Sequence, residues 1–375
     1  MRGTTSRQPS LLALVSMEQL VPENHPLRRL KPRVDAVLKT LSPTFEAMYS
    51  ATGRPSVPPE QLLKGTVLMA LFSVRSERQL CEQLAYNMLF RWFLDMDMMS
   101  PPFDATAFSH NRARLLEHDV ARQFLSAVVD QAREEDLVSD DHFSVDGTLI
   151  EAWASMKSFR PKGEEGGDNN GYADFKGTKR SNETHESKTD PESRIFRKGR
   201  GKEAKMSFMA HVLMENRHGL ITDAEITEAS GTAERDAAGT MVERERRRRA
   251  ATRKKKARKI AKISKKRNRR FTVGADKGYD TKDMVKKLRQ NGAIPHVAQN
   301  RHSRRDSSVP DRVAATAAYR VSQTARRLIE KIFGWTKTIG GFRRSRYRGL
   351  RKTEAAGLMV LATYNLLRLT ALKTA

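Results

Sequence analysis

Residues 143–150, Phe-Ser-Val-Asp-Gly-Thr-Leu-Ile, place one carboxylate inside a short apolar run, the pattern of a β-strand that carries Asp146. The runs that follow fit around it. Phe208 to Glu215 and Leu220 to Glu228 are apolar or alternating and are joined by Asn216-Arg217-His218-Gly219, a hairpin turn. Phe271, Val273 and Ala275 alternate in a short strand that closes at Asp276. Helical spacing resumes near Thr281, Ile294 to Val297 read as another strand, and helices dominate from Tyr319. The order strand, hairpin, strand, helix, strand, helix implies a mixed sheet covered by helices.

Upstream, residues 11–137 read as helices. Leu63, Val67, Ala70 and Leu71 share a helical face that Pro58-Pro59 suits as a start, and Ser76 with Gln79 has capping-box spacing before the stripe Leu80, Leu84 and Met88. A further helix begins near Thr106, with Phe108, Leu115 and Leu116 inward and Arg112 and Arg114 available outward; another carries Ala121, Leu125, Val128 and Ala132. Short helices joined by tight turns permit a helix-turn-helix, and an ordinary bundle with a solvated basic face fits equally well. Cys81 lies on an apolar stripe, and Trp92, Trp153 and Trp335 read as packing residues.

The chain of 375 residues is long enough to bury a sizeable core. Its 70 Lys and Arg against 44 Asp and Glu give a net charge of +26, which makes nucleic acid the leading partner. A single cysteine excludes an internal disulfide, and the absence of His-x-x-x-His or Cys-x-x-Cys spacing excludes a structural zinc site. Residues 1–10 do not resemble a secretory signal, so a cytoplasmic, nucleoid-associated protein is expected; Ala355 to Leu369 is shorter than the roughly 20 residues of a membrane span and is expected as a buried helix. Two segments break the pattern. Residues 157–205 are polar and are expected as a long excursion, locally ordered at best. Residues 244–270 hold 17 Lys and Arg against Glu245 alone, so this block is expected to stay extended unless neutralised, and to face phosphates.

Three acidic residues sit where elements end or expose a face: Asp146, Asp276 and Glu330. At 100° per residue Arg326, Glu330 and Lys337 fall within about 40° of one another, opposite Ala325, Leu328, Ile329 and Ile332. Magnesium prefers oxygen ligands, and two ions roughly 4 Å apart can activate the attacking oxygen and stabilise the leaving one in phosphodiester cleavage. Carboxylates from separate elements suit that chemistry, and Arg326 and Lys337 would meet phosphate oxygens.

Three blocks resemble the DDE transposases of bacterial insertion sequences, in the insertion sequence five group. The first is HFSVDGTLIEAWA at 142–154, where Asp146 matches the first catalytic aspartate; the second is TVGADKGY at 272–279, continuing to Pro295-His296-Val297-Ala298-Gln299-Asn300, where Asp276 matches the second. The third is RRLIEKIFGWTK at 326–337, with Glu330 in the place of the catalytic glutamate, followed by Gly340-Gly341 and Arg343-Arg344. Gly53-Arg54-Pro55, Thr189-Asp190-Pro191-Glu192 and Tyr364-Asn365-Leu366 also resemble the group. Where related families have a tyrosine ahead of Arg326, this chain has Gln323, with Tyr319 one turn earlier.

The resemblance implies a ribonuclease H-like α/β core, a mixed sheet with flanking helices at 138–375, preceded by an all-α DNA-binding region at 1–137. It implies Asp146, Asp276 and Glu330 as ligands of two Mg2+ ions, which Mn2+ can replace. It also implies terminal-repeat recognition, cleavage and strand transfer on double-stranded DNA by a synaptic homodimer. Lys277, Arg326, Lys337, Arg343, Arg344, Arg112 and Arg114 are the expected DNA contacts. The alternative is a non-catalytic DNA-binding protein, a repressor or an inactive transposase, which a chelator would leave indifferent. A sugar-kinase reading of Asp146-Gly147-Thr148 finds no glycine-rich phosphate loop in support.

Overall fold

The computed structural model describes residues 16–373 except 51, 54, 164–179, 198, 200, 260–269 and 302–305. Arg54 and most of the polar stretch before Arg180 therefore lie outside the described residues. The helical region comprises α1 (Met17–Leu20), α2 (Pro26–Met48), α3 (Pro59–Leu71), α4 (Glu77–Tyr86), α5 (Met88–Phe93), α6 (Thr106–Glu117) and α7 (Val120–Glu134). Ser76 caps α4 through the Gln79 N–H, but the Gln79 side chain turns to the N–H of Arg75, and Met88 opens α5 instead of extending the stripe of α4.

The sheet follows. It is built from β1 (His142–Glu151), β4 (Arg194–Phe196), β5 (Lys205–Glu215), β6 (Ile221–Glu228), β7 (Phe271–Ala275) and β8 (Ala293–Val297), while β2 (Phe159–Pro161) and β3 (His185–Ser187) form a separate small ladder. Between and after the strands lie α8 (Ala233–Lys259), α9 (Lys282–Gln290), α10 (Asp311–Ala314), α11 (Ala317–Ala325), α12 (Leu328–Lys337) and α13 (Leu350–Leu372). From the hairpin side the order is β6, β5, β1, β7, β8, with β1 antiparallel to β5 and parallel to β7, and β7 parallel to β8. An antiparallel meander continued by two parallel strands is the ribonuclease H-like order that the motifs imply.

Each face of the sheet is covered. Phe143, Val145 and Val273 pack under Ala237, Met241 and Val242 of α8 and Val285 and Leu288 of α9. On the other face Val212, Met214 and Ala224 meet Ile329 and Ile332 of α12 and Leu358, Leu361 and Leu366 of α13, in a core shared with α2, α3 and α7. Helix α13 is, among the described residues, long and apolar enough to cross a membrane, yet more than half of its apolar stretch is buried, and it packs on β6 and α7 as a core helix. Inside it, the buried Asn365 side chain accepts from the N–H of Ile221 at 2.9 Å and donates to the same residue's carbonyl at 2.8 Å, which accounts for one of the motif stretches.

One expectation is corrected. The basic block is helical as far as Lys259. Its start is anchored by partners remote in sequence, which fix a helix that charge alone would leave extended: Arg244 binds Asp223 and Glu225, each at 2.7 Å, Arg248 donates to the Thr222 carbonyl at 2.7 Å, and the buried Glu245 binds Arg133 of α7 at 2.5 Å. The described residues of the polar excursion carry local structure. β4 extends the outer edge of β5 ahead of β6, and the carboxylates of Asp190 and Glu192 accept the N–H groups of Gly349 (3.1 Å) and Leu350 (2.9 Å), capping α13.

Candidate active site

Rungs between β1 and β7 end at Ser144 opposite Gly274. Two residues further along each strand come Asp146 and Asp276, and the backbone of Asp276 is still extended (φ −76°, ψ 176°), so the two carboxylates stand level where the parallel pairing stops. The opening between strands at such a point is where α/β sheets bind ligands. The side chains are fixed locally: Asp146 Oδ1 accepts from the Gly147 N–H at 2.8 Å, and Asp276 Oδ1 accepts from the Gly278 N–H at 2.8 Å.

The α12 side supplies the cations. Arg326, in the turn between α11 and α12, places Nη1 3.6 Å from Asp146 Oδ2, and Lys337 Nζ donates to Thr148 Oγ1 at 2.6 Å. Asp146 and Thr148 are two residues apart on β1 and so share a face, which brings both cations to the same side of the strand. Ile329, Ile332 and Phe333 are buried beneath this helix, and Glu330 is exposed one turn beyond Arg326. A turn at Arg326-Arg327 divides what was expected as one helix, so Arg326 closes α11 while Glu330 and Lys337 lie in α12.

Gln323, in the position of the missing tyrosine, donates its amide N–H to the carbonyl of His296, while the Tyr319 hydroxyl donates to the Val297 carbonyl at 3.0 Å. Both tie α11 across the end of β8 beside the site. His296 accepts no charge there: burial pushes its imidazole down to about 4, and it is paired with the Ser322 hydroxyl at 2.7 Å.

Beneath Asp146 and Asp276 lies Tyr279, wholly buried, its hydroxyl without a hydrogen-bond partner. Burial raises its ionisation well above the ordinary phenol value, and the negative charges of Glu234, Asp146 and Asp276 raise it further against the opposing effect of Arg326. Glu234 and Tyr279 were missed in the sequence, because a glutamate at a helix start reads as a dipole partner and a tyrosine in an apolar setting as core.

The remaining expected DNA contacts divide. Lys277 is exposed beside Asp276, and Arg343 is exposed at the end of β1. Arg344, also there, is bonded to the carbonyls of Ala152 (3.0 Å) and Trp153 (2.7 Å). Arg112 and Arg114 are corrected: neither is free on the surface. Arg112 pairs with Glu77 and lies 4.7 Å over the Tyr347 ring, and Arg114 lies 4.4 Å over the Tyr49 ring, since partners from other elements close over the face that looked solvent-exposed.

The sequence profile of the Transposase DDE domain matches residues 139–366, and that of the Transposase domain (DUF772) matches residues 15–114. The chain belongs to the DDE transposase family. It is an enzyme of DNA cleavage and transfer, and transposases of this family generally use divalent metal ions. No curated protein matches it. Among solved structures this transposase is similar to the piggyBac transposase in a synaptic complex with hairpin DNA, at 9% identity and a TM-score of 0.39 over 93% of this chain and 76% of the other. It is also similar to a pre-cleavage Mos1 transpososome, at 10% identity and a TM-score of 0.21 over 86% and 82%. Likeness at that level adds nothing to the assignment, which rests on the two profiles.

A divalent cation suits the donor chemistry here, since Asp146 and Asp276 offer oxygen ligands from rigid strand ends. Among the described residues no group of three His, Cys, Asp or Glu is drawn together tightly enough to hold an ion, and Glu330 does not join the two aspartates in one.

Proposed function

We propose that this transposase, of the insertion sequence five group, recognises the terminal inverted repeats of its element and cuts and joins DNA with Asp146, Asp276 and Glu330 as the ligands of two Mg2+ ions, for which Mn2+ can substitute. The observation that carries this reading is the level placement of Asp146 and Asp276 just past the last rung between β1 and β7. Bound divalent ions supply an activated attacking oxygen and charge neutralisation at the phosphate. The chain's own part is to fix the carboxylates and to hold the DNA. Asp146 and Asp276 are set by strand ends and local N–H bonds, and Glu330 comes from the exposed side of α12, where a DNA backbone can approach. Arg326 and Lys337 offer N–H donors to phosphate oxygens beside Asp146, and Lys277 and Arg343 extend that basic rim, with Arg344 bracing the end of β1.

In the reaction water attacks a phosphodiester at the element's end and releases a 3′ hydroxyl, which then attacks a target phosphodiester by transesterification. Residues 1–137 serve DNA recognition and 138–375 the chemistry, in a homodimer that synapses two ends in the bacterial cytoplasm, at the nucleoid. The test is cleavage of a duplex carrying the element's terminal repeat by the purified full chain. Asp146→Asn and Asp276→Asn should each reduce it to background, as should chelation of divalent ions, with DNA binding retained. Cleavage that survives in Asp146→Asn would overturn the assignment.

A further inference from the structure

The opening between β1 and β7 has a further carboxylate on its far side. Glu234 lies in the first turn of α8, on the face of the sheet opposite Asp146, and a Cβ on Gly147 would fall 2.9 Å from both its Cγ and its Oε1. A side chain after Asp146 would have to push Glu234 aside, so Gly147 leaves the room in which that carboxylate rests against the strand.

A second observation points to the same place. The Tyr279 hydroxyl is wholly buried and unpartnered, and Tyr279, whose N–H donates to the Asp276 carbonyl at 3.2 Å, packs with Ala237, Ala238 and Met241 of α8, the helix that Glu234 opens. A buried hydroxyl without a partner is costly, and this one lies in the core between the end of β7 and α8.

We propose that Glu234 is a further carboxylate ligand of the divalent-cation site, acting from the α8 side with Asp146 and Asp276, and that Tyr279 is a positioning residue whose hydroxyl orients these carboxylates once the cation is bound. Gly147 is the residue that admits Glu234. A glutamate re-aims its carboxylate by rotation about three side-chain bonds, which is how Glu234 closes on an ion that no three carboxylates yet surround. This proposal rests on the reading of Asp146 and Asp276 as cation ligands.

The experiment titrates Mn2+ into the full chain without DNA and follows free Mn2+ by electron paramagnetic resonance. Glu234→Gln should weaken Mn2+ binding on the order of tenfold or more, and Gly147→Ala should weaken it in the same direction by displacing the carboxylate. Tyr279→Phe should weaken it less. Circular dichroism checks that each variant is folded. A second measurement needs no variant: Fe2+ with ascorbate and peroxide should cut the wild-type backbone near residue 234 as well as near 146 and 276. If Asp146→Asn weakens Mn2+ binding while Glu234→Gln does not, or if cuts appear near 146 and 276 but not 234, the role of Glu234 is wrong and the underlying site stands. If Asp146→Asn leaves Mn2+ binding unchanged, the underlying site itself is wrong.

Discussion

Replacing Asn365 by alanine tests how the C-terminal helix holds the sheet. The side chain is fully buried in α13 and clips the backbone of Ile221 from both sides, accepting its N–H at 2.9 Å and donating to its carbonyl at 2.8 Å. Ile221 opens β6 beside the point where the ladder with β5 slips, between Leu213 and Met214, so an amide from another element completes what the strand leaves open there. Truncation strands one buried donor and one buried acceptor. At about 1–3 kcal/mol each, the loss is about 2–6 kcal/mol, a large share of the roughly 5–15 kcal/mol that folded chains possess. The expected outcome is a clear fall in the urea midpoint followed by far-ultraviolet circular dichroism, together with loss of hydrogen-exchange protection at the Ile221 amide. A midpoint unmoved by Asn365→Ala, with that amide still protected, would refute the reasoning.

Acid should destabilise the fold through two buried imidazoles. Burial holds His211 and His296 down to about 4, below their ordinary value of 6.5, so each contributes stability that is complete above pH 6.5 and is lost as pH falls from 6.5 towards 4. At about 1.4 kcal/mol per pH unit the loss is on the order of 3 kcal/mol per histidine, and His211→Gln should remove about half of the combined slope in urea titrations at successive pH values. Arg112→Ala and Arg114→Ala should lower the melting temperature while leaving DNA affinity at fixed salt nearly unchanged, because both side chains are spent on internal partners. Arg246→Gln with Arg247→Gln, on the exposed face of α8, should instead weaken binding to any duplex and make the slope of log affinity against log salt shallower by about 1–2. Glu330→Gln should abolish cleavage of the terminal-repeat duplex in a gel assay but leave its gel shift intact; retained cleavage would remove Glu330 from the ligand set.

Strands buried on both faces left short apolar runs that could be recognised, and against them a lone Asp146 or a terminal Asp276 was conspicuous. The hairpin was legible for the same reason, with Gly219 supplying the left-handed backbone (φ +71°) that its turn needs. Features decided by partners far along the chain were not. Helix α8 hid its apolar stripe, Ala237, Ala238, Met241 and Val242, ahead of a run of arginines, and the carboxylates that pair with Arg244 come from the preceding hairpin. The outward reading of Arg112 and Arg114 failed because Tyr347 and Tyr49, which receive them, lie on other elements. Glu234 was invisible because its setting comes from Gly147, 87 residues upstream, and not from its own neighbours.

The same long-range dependence ties the two regions of the molecule together. Helix α13 packs on α7 and α3 of the helical region and on β6 of the sheet, and its start is capped by Asp190 and Glu192 from the polar excursion. Arg122 of α7 pairs with Glu354 of α13 at 2.5 Å, and its guanidinium also donates to the Ala224 carbonyl of β6 at 3.2 Å. A displacement of the N-terminal helices on binding DNA would therefore load α13 and, through Asn365 and Ile221, the hairpin whose other strand, β5, borders β1 and Asp146. Arg122→Ala cuts that connection at its first link without touching the carboxylates, so it should lower cleavage of bound DNA more than it lowers DNA affinity. Equal losses in both would mean that the helices and the sheet act independently despite their common core.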